Sequence, residues 1–348
     1  MKRTLFYLGH PAHFHLFKNT MLSLPANEYV VVIKSKDVLE KLLTEHGINY
    51  INVDKVSAAK KEKSKFDIGM AFAGRMWKLA SIIRKNKIKI LAGSAAELGV
   101  LGKILGIPSC IFFEDDFEKV APFAKIAGPT ARYLICPDCC SAWKWNAKKT
   151  GYNSYHELAY LHPDHFTPDK SKVEKLFDLN QRNFILRFSE LGAYHDDGKT
   201  GITDELALSL ISILEPYGKI YITSERPLDA KFEKYRIAIK ASDIHHALYY
   251  ADMFIGDSQT MTAEAAVLGT PAIRFNDFVG ELGYLEDLEH TYHLTYGIRT
   301  KDAEQLPIKI KELLQITDLK KEWSVRREKM LRDKCNFAKW MQNFLEKL

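Results

Sequence analysis

The sequence predicts an α/β protein of two facing, Rossmann-like domains, each with a parallel sheet, and a C-terminal helix that packs back. Three observations predict it. Short apolar runs alternate with helical stretches along most of the chain, as in strands covered on both faces by crossover helices. The alternation breaks once, at residues 155–169, where His156, His162, Pro163, His165 and Pro168 crowd together, and then resumes. The 348 residues are long for one domain and comfortable for two of about 150–200.

The first series reads as strand 4–8, a His/Pro loop, helix 14–24, strand 29–33 and helix 37–46 with Asp37 as N-cap. Strand 48–53, helix 70–86, strand 88–92 and helix 95–105, closed by Gly106, follow, then strands 109–113 and 131–136. The second series reads as strand 183–188, helix 204–216, strand 219–223, helix 243–250 and strand 253–255. Helix 260–268, strand 272–275 and helix 302–314 complete it, and the tail 319–348 is helical. The expected domains are residues 1–165 and 166–348.

Hydrophobic residues make up 46% and charged residues 27% of the chain, an ordinary globular composition. The net charge of +6 is spread along the chain and suits anionic ligands or an acidic membrane surface. No arginine-rich arm, zinc finger or RNP-like aromatic motif is visible, so nucleic acid is not an expected partner. Five cysteines do not make a disulfide framework. Cys136, Cys139 and Cys140 resemble half of a zinc site, but no second pair completes it, so reduced thiols are expected. The first apolar run is cut by Gly9, His10 and Pro11, and no run reaches the roughly 18 residues that span a bilayer. A cytoplasmic location is expected. Residues 70–90, with Trp77 among Arg75, Lys78, Arg84, Lys85, Lys87 and Lys89, read first as a helix covering a sheet. Peripheral contact with an anionic inner membrane face is the alternative.

The strongest motif is ADMFIGDSQTMTAEAAVLGTPAIRF at residues 251–275. An apolar strand ends at Gly256, a polar loop follows, and a helix begins whose first turn offers unsatisfied N–H groups at a strand's carboxyl end, a ready anion site. Ser258, Thr260 and Thr262 offer hydroxyl donors to a diphosphate, Glu264 offers an acceptor to ribose hydroxyls, and Gly269 is placed to cap the helix. A plain capped strand–loop–helix fits the spacing equally well. The chain has neither G-x-G-x-x-G nor G-x-x-x-x-G-K-[ST], which argues against an ordinary dinucleotide enzyme and a P-loop NTPase.

This segment resembles the nucleotide-sugar motif of GT-B enzymes, including the UDP-N-acetylglucosamine 2-epimerases and the glycosyltransferase that makes lipid II. Their pattern is D-S-G-G-x-x-E-E-A-x-x-L-G-x-P or a close variant. The resemblance implies that Ser258, Gln259 and Thr260 contact the diphosphate and that Glu264 holds the ribose. Gln259 and Thr260 stand where the epimerases carry glycines. Three blocks, GHPAHFHLFKN at 9–19, HELAYLHPDHFTPD at 156–169 and DIHHALYYADMFIGDSQTMTAEAAVLGTPAIR at 243–274, the last including this segment, resemble a poorly characterised prokaryotic family within the GT-B group. On that resemblance the first domain is the acceptor side and the second binds a nucleotide sugar.

The resemblance also orders the remaining candidates. The 9–15 loop is expected at the inter-domain cleft, with His13 as general base, as an ordinary imidazole pKa suits, and His10 and His15 behind it. Zinc ligation or simple capping are the alternatives. In residues 112–118, FFEDDFE, Glu114 matches the place of an epimerase carboxylate, with Asp115 beside it. A solvated N-terminal helix turn is the alternative. Arg187 is expected to offset diphosphate charge, and His195 lies in a loop expected at the cleft. His245 is expected beside the nucleotide base. Glu97, Glu225 and Arg226 are weaker cleft candidates. No metal or other cofactor is expected. The leading expectation is transfer of a sugar from a UDP-sugar to a carbohydrate or lipid-linked acceptor. A UDP-sugar 2-epimerase or hydrolase comes next, although the epimerases' His-Arg-x-x-Asn segment has no equal in residues 187–194. A non-catalytic nucleotide-sugar-binding protein comes third.

Overall fold

The computed structural model describes residues 2–34, 37–54, 65–189 and 201–348. The candidate His195 and the Asp37 side chain lie outside the described residues. The chain divides into two compact units, Met1–Tyr160 with Cys335–Leu348, and Leu161–Lys334.

The first unit carries a parallel sheet of seven strands: β1 (Thr4–Leu8), β2 (Tyr29–Lys34), β3 (Tyr50–Asp54), β4 (Ile90–Gly93), β5 (Ser109–Phe112), β6 (Tyr133–Pro137) and β7 (Lys149–Tyr152). Their order is β3-β2-β1-β4-β5-β6-β7. Every residue of β1, β4 and β5 is buried, as interior strands covered on both faces require. The helices are α1 (Pro11–Leu22), α2 (Asp37–Glu45), α3 (Lys65–Lys85), α4 (Ala96–Leu105) and α5 (Ala121–Thr130). Gly106 ends α4 in the left-handed region at φ 66°, as its place in the sequence predicts.

The second unit carries a parallel five-stranded sheet of β8 (Arg182–Phe188), β9 (Gly218–Ser224), β10 (Met253–Gly256), β11 (Ala272–Phe275) and β12 (Thr295–Ile298), ordered β12-β11-β10-β8-β9. Its helices are α6 (Asp204–Leu214), α7 (Ile244–Tyr250), α8 (Gln259–Leu268), α9 (Gly283–His290), α10 (Gln305–Leu314) and α11 (Leu319–Asp333). Trp323 of α11 is fully buried and donates its indole N–H to Leu294 O at 2.9 Å.

The helical tail is not continuous. It breaks after Asp333, and α12 (Phe337–Glu346) belongs to the first unit. Cys335 N donates to Asn153 O, Ser154 Oγ donates to Cys335 O at 2.6 Å, and Thr20 Oγ1 of α1 donates to Ala338 O.

Four elements go beyond the sequence reading: α5, β7, α9 and β12. Helix α5 has Pro122 in its first turn and Pro129 inside its last, so its pattern mimics a loop. The edge strand β7 is largely half-exposed and shows no apolar run. Helix α1 begins at Pro11, earlier than expected, because a proline at the first helical position sacrifices no helical hydrogen bond. His13 and His15 therefore sit on a helix, not in a loop.

Candidate functional site

Strand order locates a switch point in each unit. In the second, β8-β9 and β10-β11-β12 extend in opposite directions from the boundary between β8 and β10. Ligands of doubly wound sheets bind outside the carboxyl ends of strands at such a switch point. The 251–275 motif lies there. Gly256 ends β10 beside Arg187 of β8, and a Cβ on Gly256 would stand 2.8 Å from Arg187 Cβ, so glycine is what the close approach requires.

Ser258 is the N-cap of α8, and its hydroxyl accepts from Met261 N at 3.3 Å. Gln259 and Thr260 form the half-buried tip of the helix. Thr262 does not fit the expected donor role. It is fully buried and gives its hydroxyl proton to Ser258 O at 2.6 Å, the usual fate of a threonine one turn into a helix. Gly269 caps α8 at φ 84°.

Glu264 is buried, and its Oε1 lies 2.9 Å from Nε2 of the buried His245 on α7. The fold thus brings together two candidates 19 residues apart. The Phe166 ring packs against His246 at 4.9 Å, and Asp169 N donates to His246 Nδ1 at 3.0 Å, tying the 166–169 segment to the same helix. Arg187 pairs with Glu225, while its Nε is buried without a hydrogen-bond partner. Arg226 is engaged with Ile202 O and lies over the Phe188 ring.

Two residues of this region escaped the sequence reading. Asp257 Oδ1 accepts from Ser189 N at 2.7 Å, Oδ2 accepts from Ile202 N at 3.3 Å, and its carbonyl accepts from Asn276 Nδ2 at 2.9 Å. It ties the ends of β8, β10 and β11 together, and burial raises its pKa above the ordinary carboxylate value. Arg274, in register with Gly256 and 1% exposed, pairs with Glu286 at 3.1 Å. Both lie within the 251–275 motif, and Asp257 stands at the leading Asp of its pattern, but the sequence reading gave neither a role, because each acts through pairing between strands.

In the first unit the switch point lies between β1 and β4. The loop after β1 leads into α1. His10 is the exposed N-cap, and its Nδ1 accepts from Ala12 N. His13 Nδ1 accepts from Gly9 N at 3.1 Å. The ring of His15 lies 5.2 Å from Tyr160. Beyond β5, Glu114 Oε2 lies 3.2 Å from Nδ1 of His156, which opens a 3₁₀ turn, His156–Ala159. Burial pulls the His156 pKa down to about 3, and nearby His13 acts in the same direction. Asp115 is half-buried, whereas Asp116 accepts from Ser141 N. Glu97 forms a pair with Arg75 at 2.9 Å, with both side chains largely buried, which gives it a structural partner. Cys110, Cys136 and Cys140 are buried and Cys139 is exposed, and burial raises the Cys136 thiol to about 12. Among the described residues, no group of three or more His, Cys, Asp or Glu side chains is arranged to hold a metal ion, and no helix is long and apolar enough to cross a membrane.

Two parallel-sheet α/β units, each with candidate groups at a switch point, define a GT-B fold, and solved structures bear this out. The UDP-GlcNAc 2-epimerase from Neisseria meningitidis bound to UDP-GlcNAc matches with TM-score 0.68 and 12% identity, over 100% of both chains. The spinosyn rhamnosyltransferase SpnG complexed with thymidine diphosphate matches with TM-score 0.67 and 13% identity, over 99% of this chain and 100% of the other. Anabaena HepE in complex with UDP and glucose matches with TM-score 0.66 and 13% identity, over 100% of both. At such identities the likeness is one of fold. A search among curated proteins found no match in sequence. The chain belongs to the family described as "Protein of unknown function (DUF354)", whose model matches residues 7–293.

Proposed function

We propose that the chain is a GT-B-type glycosyltransferase that takes a UDP-sugar and passes the sugar to an acceptor in surface-polysaccharide or glycoconjugate assembly. The observation that carries this reading is the buried Glu264–His245 pair beside the N-terminus of α8, at the switch point of the second sheet. A carboxylate held by a histidine suits two ribose hydroxyls, and the helix tip with Ser258, Gln259 and Thr260 suits a diphosphate. Arg187, with one buried N–H unpartnered, supplies positive charge to the leaving group. Solved GT-B structures with UDP and with UDP-GlcNAc support the choice of nucleotide.

The first unit supplies the groups proposed to act at the acceptor hydroxyl and the developing charge. Because His13 Nδ1 accepts from Gly9 N, the neutral ring carries its proton on Nε2. We therefore assign His13, in place of the general base that the resemblance implies, the role of hydrogen-bond donor through Nε2–H to charge that develops in the transition state, and Glu114 that of base for the acceptor hydroxyl. No metal or other cofactor enters this scheme. Trp77 of α3, 77% exposed, supports peripheral contact with a membrane that carries a lipid-linked acceptor.

A second reading, a UDP-sugar 2-epimerase or hydrolase, is favoured by one observation: Glu114 beside the buried His156 would serve equally to move a proton at the sugar. UDP release from a panel of UDP-sugars, with and without lipid-linked acceptors, separates the two. Release that needs an acceptor is the expected result. Release or sugar interconversion at catalytic rates with donor alone would replace the transferase reading with the second.

A further inference from the structure

The amino ends of β8 and β9, at the opposite end of the second sheet from Gly256 and Ser258, border a cleft of about 810 Å³. That is the size of a small-ligand site, and it lies apart from the nucleotide candidates, which gather at the carboxyl ends of the strands. Strand β9 is the edge of its sheet. The 3₁₀ turn Ala230–Tyr235 runs beside it, and the chain rejoins the edge at Ile222, whose carbonyl accepts from Ile237 N at 3.0 Å. Gly218 to Tyr221, before that point, line the cleft. A second cleft of about 480 Å³ shares Asn180 with the first and adds Lys170 and Lys175, so together they can hold an extended ligand.

The lining has a definite chemistry. Arg182, Lys219, Lys234 and Arg236 face the larger cleft, against Glu215. Two of these groups are engaged: Arg236 makes two hydrogen bonds of 2.7 Å to Glu233, and Glu215 accepts from Tyr235 OH at 2.6 Å. Arg182 gives one N–H to Leu314 O at 3.3 Å and keeps others to offer. Among the described residues Lys219 and Lys234 form no ion pair, and Lys234 Nζ lies 4.6 Å over the Tyr235 ring. Positive charge is thus left over for an anion. Tyr217 is 43% exposed, whereas Tyr221 is covered by Phe177 at 4.5 Å. An open aromatic face suits the C–H face of a pyranose ring. The Asn180 and Gln181 amides both donate and accept, as sugar hydroxyls do. An edge strand often carries lysine to deter pairing, but that role needs neither a cleft nor an open tyrosine. Nucleic acid fits less well, because one open ring beside a carboxylate offers no succession of stacking platforms.

We infer that the cleft at the amino ends of β8 and β9 is a second binding site, one that takes an acidic oligosaccharide. Lys219, Lys234 and Arg182 meet its carboxylates or phosphate esters, and Tyr217 lies against a sugar face. The inference rests on the proposed function only in reading that saccharide as a segment of the acceptor or product chain. The site then tethers an anionic glycan to the unit that carries the nucleotide candidates, without touching them.

Calorimetric titration of the whole chain tests this. The probes are oligogalacturonate, which carries carboxylates, and a phosphorylated oligomannoside, which carries phosphate esters, with a malto-oligosaccharide of the same length as neutral control. Saturable binding of at least one anionic probe is expected, and the one that binds identifies the charged group. Affinity should fall about tenfold in the double variant Lys219→Ala, Lys234→Ala and about threefold in Tyr217→Ala. Raising salt from about 0.05 to 0.3 M should weaken it too. UDP affinity should not change in either variant. Failure of both anionic probes to bind, equal binding of the neutral control, or undiminished binding by the folded variants would overturn the inference. So would single-stranded DNA that binds more tightly than either probe and loses as much in the lysine variant. Failure of wild type to bind UDP would remove the proposed function and leave the saccharide result standing.

Discussion

Replacing His13 with alanine is expected to lower turnover by about 10²–10³-fold, the usual weight of one positioned hydrogen-bond donor to charge developing in the transition state. The argument starts from the helix. Pro11 at its first position sets where α1 begins, and that start places His13 one turn in, with Nδ1 on Gly9 N. The imidazole therefore presents one defined tautomer to its surroundings. Alanine removes the Nε2–H and also the acceptor for Gly9 N. His13→Asn retains an acceptor close to the Nδ1 position, so it should keep the loop after β1 in place and still fail in turnover. The nucleotide groups belong to the other unit, so UDP affinity should be unchanged in both variants. Initial rates with a saturating donor check this, and a loss under about threefold would remove His13 from the chemistry.

The second large effect is on stability. Asp257→Ala is expected to cost about 2–4 kcal/mol, because it strips a buried acceptor from two backbone N–H groups, Ser189 and Ile202. Asp257→Asn should cost less, because the amide keeps one accepting oxygen and carries no charge. The pH dependence has a definite sign. Burial raises the Asp257 pKa above its unfolded value, so the folded chain holds that proton more tightly than the unfolded chain does. Its contribution is greatest below pH about 4 and is lost as pH rises through the raised folded pKa. Urea unfolding of the three proteins at two pH values measures both effects, and an Asp257→Ala protein within about 0.5 kcal/mol of wild type would show that the latch carries no load.

Much of the fold was legible in the sequence, and the reason is physical. Interior strands such as β1, β4, β5 and β10 are short, uninterrupted apolar runs, and Gly106 and Gly269 stand where left-handed helix ends need them. What stayed hidden lacked such signals: β7 and β12 sit at sheet edges and contain glycine, and α5 carries two prolines. The candidate site was legible where chemistry is local, as in the Ser258–Glu264 segment. It was hidden where a side chain acts across strands. Asp257 heads the quoted D-S pattern in sequence, but only the parallel pairing of β8, β10 and β11 shows that it acts as a latch. His156 was visible as a member of a histidine cluster, but its partner Glu114 is separated from it by β6 and β7. Thr262 misled for the opposite reason: a hydroxyl at the start of a helix suggests a ligand donor, whereas one turn in it prefers its own backbone.

The central claim is that the second unit binds a uridine nucleotide through α8 and Glu264, and calorimetric titration of UDP into wild type and Glu264→Ala tests it most directly. The account predicts saturable binding by wild type and a loss of about 1–3 kcal/mol in the variant, the cost of removing a charged partner from hydrogen-bonded hydroxyls. Equal affinity in the two proteins, or no binding of UDP by wild type, would contradict it.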